Sequence, residues 1–166
     1  MNLIFLDTET TGLTPNDRLI EVAYCLPERE ICSQYFMPPC PLGIDAMAVN
    51  HITDKMIADA KPFQHSEMYF ILQERLQDHV LVAHNADFDI GMLEREGLRV
   101  PRYICTKQVA KELDLAPKHN LQYLRYSLGL DVEANPHSAA GDVAVLMALY
   151  NYIAELKDPA QFIRSR

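Results

Sequence analysis

The sequence predicts an α/β domain: a mixed central sheet with helices on both faces. Three observations lead there. Apolar runs of strand length crowd the first forty residues, at 3–8, 19–24 and 31–37. Beyond residue 66, stretches with helical spacing alternate with short apolar runs. Nothing in 1–166 has the composition of a linker, so a single domain is expected. Strands first, then helices alternating with short strands, is the pattern of a mixed sheet covered on two sides.

Each element has its own reason. Leu3-Ile4-Phe5-Leu6 is apolar at odd and even positions alike, which suits a central strand buried on both faces. Residues 11–17 are rich in turn formers. The runs 19–24 and 31–37 follow at the spacing of an antiparallel meander, and Pro38, Pro39 and Pro41 stop the sheet. A helix-prone stretch begins at Asp45. Another runs over 66–78, where Met68, Ile71, Leu72 and Leu76 recur at helical spacing. Val80–Ala83 reads as a short buried strand, with Asn85 as cap of a helix that reaches Glu96 and stops at Gly97. Residues 102–105 read as the last strand. Helices are expected over 106–113, 121–128 and, longest, 138–156.

A chain of 166 residues, 49% hydrophobic and 23% charged, can build one real core. No apolar run near 18 residues and no basic leader are evident, so neither a membrane span nor a signal peptide is expected. Cys25, Cys32, Cys40 and Cys105 form no CxxC pair and have no histidine at zinc-finger spacing. They read as free thiols of a reducing compartment, the cytoplasm. The net charge of −8 argues against broad nucleic-acid binding. The charge is uneven, however: residues 95–125 hold seven Lys or Arg against three acids.

Three clusters carry chemistry. Asp7 and Glu9 alternate at the end of the first strand and so point to one face. Two carboxylates at a buried strand end repel each other and lose hydration. A divalent cation compensates both effects, and hard oxygen donors suit Mg²⁺ or Mn²⁺. The second cluster, His84-Asn85-Ala86-Asp87-Phe88-Asp89, lies at a strand-to-helix junction. The third is His137-Ser138-Ala139-Ala140-Gly141-Asp142, where the last helix starts. Asp142 stands among apolar neighbours. His137 follows Pro136 and precedes the helix, as suits a proton acceptor beside a metal ligand. Asp87 reads as a helix-dipole residue. His51, His65, His79 and His119 read as surface or local packing, and the C-terminal tyrosines as core.

Taken together these clusters resemble the DEDD exonuclease superfamily, whose fold is RNase H-like. More narrowly they resemble its DEDDh branch, which includes the epsilon proofreading subunit of DNA polymerase III, RNase T and exodeoxyribonuclease X. The family's DxE motif matches Asp7 and Glu9, its Asn-x-x-Phe-Asp motif matches Asn85 to Asp89, and its His-x4-Asp motif matches His137 and Asp142. Ala46 to Thr53 is similar to the segment that contacts the terminal nucleotide, with Asn50-His51 where many members carry His-Gly. The surroundings of Met47 and Tyr103 to Lys107 most resemble exodeoxyribonuclease X.

The resemblance implies a 3′–5′ exonuclease domain over residues 1–166 that releases nucleoside monophosphates from DNA ends in repair or proofreading. The alternatives are an exoribonuclease on the same fold and a non-catalytic polymerase accessory module. Asp7, Glu9, Asp89 and Asp142 would hold two Mg²⁺ ions, or Mn²⁺ in their place. His137 would be the general base. Thr10, Gly12, Leu13, Asn50, His51, His84, Asn85 and Phe88 would meet the nucleic-acid 3′ end, with Leu13 as a wedge against the terminal base. No membrane partner is expected.

Overall fold

The computed structural model describes residues 1–166. Strand β1 (Leu3–Thr10) lies at the centre of a six-stranded sheet of order β3-β2-β1-β4-β5-β6. β2 (Leu19–Cys25) and β3 (Cys32–Tyr35) extend it as an antiparallel meander. On the other side β4 (Val80–Ala83) and β5 (Arg102–Cys105) run parallel to β1, and β6 (Arg164–Ser165) closes the edge antiparallel to β5. The chain crosses from meander to parallel half through α1 (Ile44–Asn50), α2 (Asp54–Ile57) and α3 (Glu67–Asp78). Helix α4 (Ala86–Arg95) joins β4 to β5. Beyond β5 come α5 (Thr106–Glu112), α6 (Leu121–Ser127) and the long α7 (Ala139–Leu156).

The alternation of β1 sorts the core. Leu3 and Phe5 face α5, α6 and α7, where they meet Val143, Leu146, Leu149 and Tyr150. Ile4 and Leu6 face α3 and α4, among Leu72, Leu76, Ile90 and Leu93. Continued along the strand, the same parity sends Asp7 and Glu9 to the α7 side and Thr8 to the α4 side.

Several expectations are corrected. Residues 102–105 are not the last strand: β6 follows, two exposed residues with no apolar pattern to announce them. The helix expected from Asp45 breaks in two. His51 takes a left-handed φ of 61° after α1, and the Asn50 side chain accepts the Ile52 N–H at 3.0 Å, which ends the helical ladder. Asn85 occupies the cap position of α4 at φ 74°, but its side chain caps nothing and instead accepts from Lys107 Nζ at 3.3 Å. Helix α7 is 18 residues long and apolar enough to cross a membrane by length and composition, contrary to the absence expected. Its residues Val143, Val145, Leu146, Leu149, Tyr150 and Ile153 are buried in the core with β1, while Leu156 at its end is exposed. All four cysteines are free.

Candidate active site

The site forms where β1 outruns its parallel neighbour. Pairing with β4 ends at Phe5–Val82, so the last residues of β1 have no partner strand on that side. The first turn of α4 fills the notch. Asp89, only 2% exposed, accepts from both the backbone N–H of Thr8 (3.1 Å) and its Oγ1 (2.9 Å). An acid from the α4 face thereby reaches the strand that carries Asp7 and Glu9. On the β2 side the register shifts between Glu9 and Thr10, an irregularity of the kind that re-aims side chains near active sites.

Asp7, Glu9 and Asp142 each bring a carboxylate oxygen within 4.8 Å of the others. No Lys or Arg forms a salt bridge to any of them. The electrostatic consequence is large. Burial, then Asp89, Asp142 and Glu9, hold the Asp7 carboxyl well above its ordinary range. Burial and the charges of Asp142 and Glu21 push Glu9 to about 8, against a smaller downward pull from the Asn50 amide. Asp89 rises to about 7 through burial, although its bonds from Thr8 oppose the rise. Burial raises Asp142 as well, opposed by the Gln122 amide. Such a set of uncompensated hard oxygen donors fits a divalent cation of the Mg²⁺ or Mn²⁺ class. Asp7, Glu9 and Asp142 would hold it, with Asp89 beside them.

His137 lies five residues before Asp142, exposed, at a left-handed φ of 59°. Ser138 caps α7 by accepting the Gly141 N–H at 3.2 Å. A Cβ on Gly141 would lie 2.0 Å from the Asn135 carbonyl oxygen, so glycine is what lets this loop lie against the first turn of α7.

A cleft of about 730 Å³ opens beside Glu9. Of the residues expected to meet substrate, Thr10, Gly12, Leu13, Asn50 and Phe88 line it. Leu13 stands 83% exposed there. Asn50 acts as a strut, its Nδ2 donating to the Thr10 carbonyl at 3.3 Å. Gly43 is pressed against the residue just after β1: its N–H donates to the Thr11 carbonyl at 3.0 Å, and a Cβ there would lie 2.7 Å from that oxygen. The structure does not bring His51, His84 and Asn85 into the cleft lining. His84 has both ring nitrogens engaged within the chain, with Thr106 Oγ1 at 3.0 Å and the His119 carbonyl at 2.8 Å. Burial lowers its pKa to about 4, which leaves it a neutral tie between β4 and the 119 loop.

Sequence reasoning missed Glu21. It is 4% exposed and lies directly across from Glu9 in the β1–β2 register. Ser33 Oγ donates to its Oε1 at 2.6 Å, and the Ala139 N–H, at the start of α7, donates to Oε2 at 3.3 Å. The available signal was an acid inside the apolar run Leu19-Ile20-Glu21-Val22-Ala23. It also missed Thr8 as a ligand-holding residue, and Gln122, which leaves no pattern.

Comparison with known proteins places this geometry. The exonuclease family model (RNase T type) matches residues 4–150. The epsilon subunit of DNA polymerase III from Treponema pallidum (strain Nichols) is 31% identical over 158 residues, which cover 87% of this chain and 72% of that protein. The epsilon subunit from Pasteurella multocida (strain Pm70) is 30% identical over 169 residues, covering 89% of this chain and 66% of its own length. A solved structure of exonuclease X in complex with 5′ overhanging duplex DNA superposes with a TM-score of 0.76 at 27% identity, over 96% of each chain. A 3′-exonuclease that recognises histone mRNA stem-loops shares the fold at a TM-score of 0.77 and 15% identity. With its RNase H-like fold and its exonuclease relatives, the chain belongs to the DEDDh family of 3′–5′ exonucleases.

Proposed function

We propose that this protein removes nucleoside monophosphates from the 3′ ends of DNA, with divalent metal ions held by Asp7, Glu9, Asp89 and Asp142 and with His137 as general base. The observation that carries the reading is the cluster of three carboxylates within 4.8 Å, beside a cleft of nucleotide-site size. DNA is favoured because relatives that exceed a quarter identity include DNA polymerase subunits and a DNA-bound exonuclease. A role in DNA repair or proofreading, in the cytoplasm, is part of the same proposal, and the polymerase-subunit relatives support its proofreading side.

When bound, the metal ions supply an activated water and stabilise the leaving 3′ oxygen. The chain's own residues do the rest. Asp7 and Glu9, rigid on a central strand, give the donor set a fixed floor. The Thr8 hydroxyl and N–H pin the Asp89 carboxylate, through Oδ1, to the strand that carries them. Asn50 and Gly43 fasten α1 to the end of β1, so that the apolar lips Leu13, Ile44, Val49 and Phe88 flank the terminal base and exclude water around it. His137, exposed in the loop that leads into Asp142's helix, takes the proton released by the attacking water and returns it to solvent.

The test is digestion of matched 5′-labelled single-stranded DNA, duplex DNA and RNA with Mg²⁺, with EDTA as control. The reading expects a ladder shortened from the 3′ end, abolished by EDTA and faster on DNA. A faster ladder on RNA would transfer the assignment to RNA ends. No cleavage of any substrate would favour an accessory module.

A further inference from the structure

Asp142 is held by a helix that carries none of the family's acidic motifs. Gln122 Nε2, on α6, donates to Asp142 Oδ1 at 2.7 Å. Three residues on, on the same face of α6, Arg125 Nη1 donates to Gln122 Oε1 at 3.4 Å. The two bonds fix the amide's direction, because the flipped amide would set Oε1 against the Asp142 carboxylate and its NH₂ against the guanidinium. Arg125 then reaches the loop before α7, donating to the carbonyls of Val132 and, at 3.2 Å, Ala134. The next carbonyl, of Asn135, accepts from Ser138 Oγ at 3.0 Å, and two residues later comes His137. Gln122 and Arg125 are both half-buried. One short helix thus grips a metal-ligand candidate at one end and the loop of the proton acceptor at the other.

We propose that Gln122 and Arg125 form a positioning bracket that aligns Asp142 toward the metal ion and His137 toward the reacting water. The inference rests on the exonuclease reading above. A carboxylate with one oxygen pinned by an amide presents the other in a fixed direction, so the ligand is ordered before the ion arrives. The backbone that leads to His137 is anchored to the same guanidinium, so the distance between base and ligand is set within one unit.

The test uses the full chain and four variants: Gln122→Leu, Gln122→Glu, Arg125→Met and the Gln122→Leu/Arg125→Met double variant. Mn²⁺ binding is read by calorimetry and by electron paramagnetic resonance, and kcat and KM are read on a 5′-labelled single-stranded oligonucleotide. Loss of a group that orients a metal ligand weakens binding or activity by ~10–100-fold. The expected result is therefore a Mn²⁺ affinity reduced at least about tenfold in Gln122→Leu, with kcat falling and KM within about twofold. Gln122→Glu keeps the shape but replaces the donor by a second acid; its added charge attracts the ion, so its readout is kcat, which falls at least as far as in Gln122→Leu. If Gln122→Leu does not fold, this near-isosteric variant carries the test. The double variant loses less than the product of the two singles, because both act through one bracket. Folded Gln122 variants with Mn²⁺ affinity and kcat within twofold of the parent would overturn the inference, as would independent effects in the double variant. A parent chain with no nuclease activity would instead remove the exonuclease reading, and the Mn²⁺ titrations would still decide the bracket.

Discussion

Without metal, the folded protein should lose stability as the pH rises through neutrality, and metal should reverse the trend. Glu9 has its pKa pushed from 4.5 to about 8, Asp89 from 3.8 to about 7, and Asp7 is raised well above its ordinary value. In an unfolded chain these acids have released their protons long before pH 6.5. Between about pH 6.5 and 8 the folded metal-free state therefore binds more protons than the unfolded state, and unfolding free energy falls as pH increases. A single retained proton costs ~1.36 kcal/mol per pH unit, so this window alone removes ~2 kcal/mol. For a domain of this size that lowers Tm by ~4–8 °C. His84, held neutral with a pKa of about 4, works in the opposite direction. Its contribution is gained as pH rises toward the ordinary imidazole pKa of ~6.5 and is nearly complete where the window begins.

The assay is a thermal melt in EDTA at steps across that window, repeated with saturating Mg²⁺. The melting temperature should fall with pH in EDTA. Added Mg²⁺ should raise it more at pH 8 than at pH 6.5, because only ionised carboxylates hold the ion. Glu9→Gln should flatten the fall. A metal-free melting temperature that stays level or rises across the window would refute the reasoning, and an undiminished fall in Glu9→Gln would place the retained proton elsewhere.

Four further outcomes are expected. His137→Ala should keep Mn²⁺ affinity while kcat drops by ~10²–10⁴, measured by single-turnover digestion; lost metal binding would argue against a proton-transfer role. Gly141→Ala places a Cβ 2.0 Å from the Asn135 carbonyl. The loop ahead of His137 must then move by about 1 Å, and kcat should fall by ~100-fold, with the new loop position visible in a crystal structure. Thr8→Val removes the Oγ1 bond to Asp89 but keeps the N–H bond. Chemical denaturation at pH 8 should show a loss of ~1.5–3 kcal/mol, and the acidic limb of the pH–rate profile should move to higher pH. Leu13→Ala removes an 83% exposed side chain. Melting should be unchanged within ~0.5 kcal/mol while KM for DNA ends rises, and an unchanged KM would take Leu13 out of substrate contact.

The central strand was legible because Leu3 to Leu6 are apolar at both parities, a pattern that only a doubly covered strand requires. The same periodicity showed that Asp7 and Glu9 share a face, since alternation is a property of the backbone itself. Helix α7 was legible for a similar local reason, its length and apolar density. Elements that depend on a neighbour were not. β6 exists only because Arg102 and Tyr103 offer an open edge, and the break after α1 depends on the left-handed His51 and on a side chain that binds the backbone two residues ahead.

The site divides along the same line. From the sequence alone came the acids Asp7, Glu9, Asp89 and Asp142, the base candidate His137, and the likeness that gathers them into one family. The chemistry asks for those residue types, and the family likeness supplies their order. Only the tertiary structure decided how they meet. It showed that Asp89 enters through the notch where β1 outruns β4, that Glu21 ties β2 to the first turn of α7, and that Gln122 grips Asp142. It also turned His84 inward and left His51 outside the cleft. These contacts join residues from 20 to 118 positions apart. No local pattern encodes such distances, which are set by the register of the sheet and by the faces on which the helices pack.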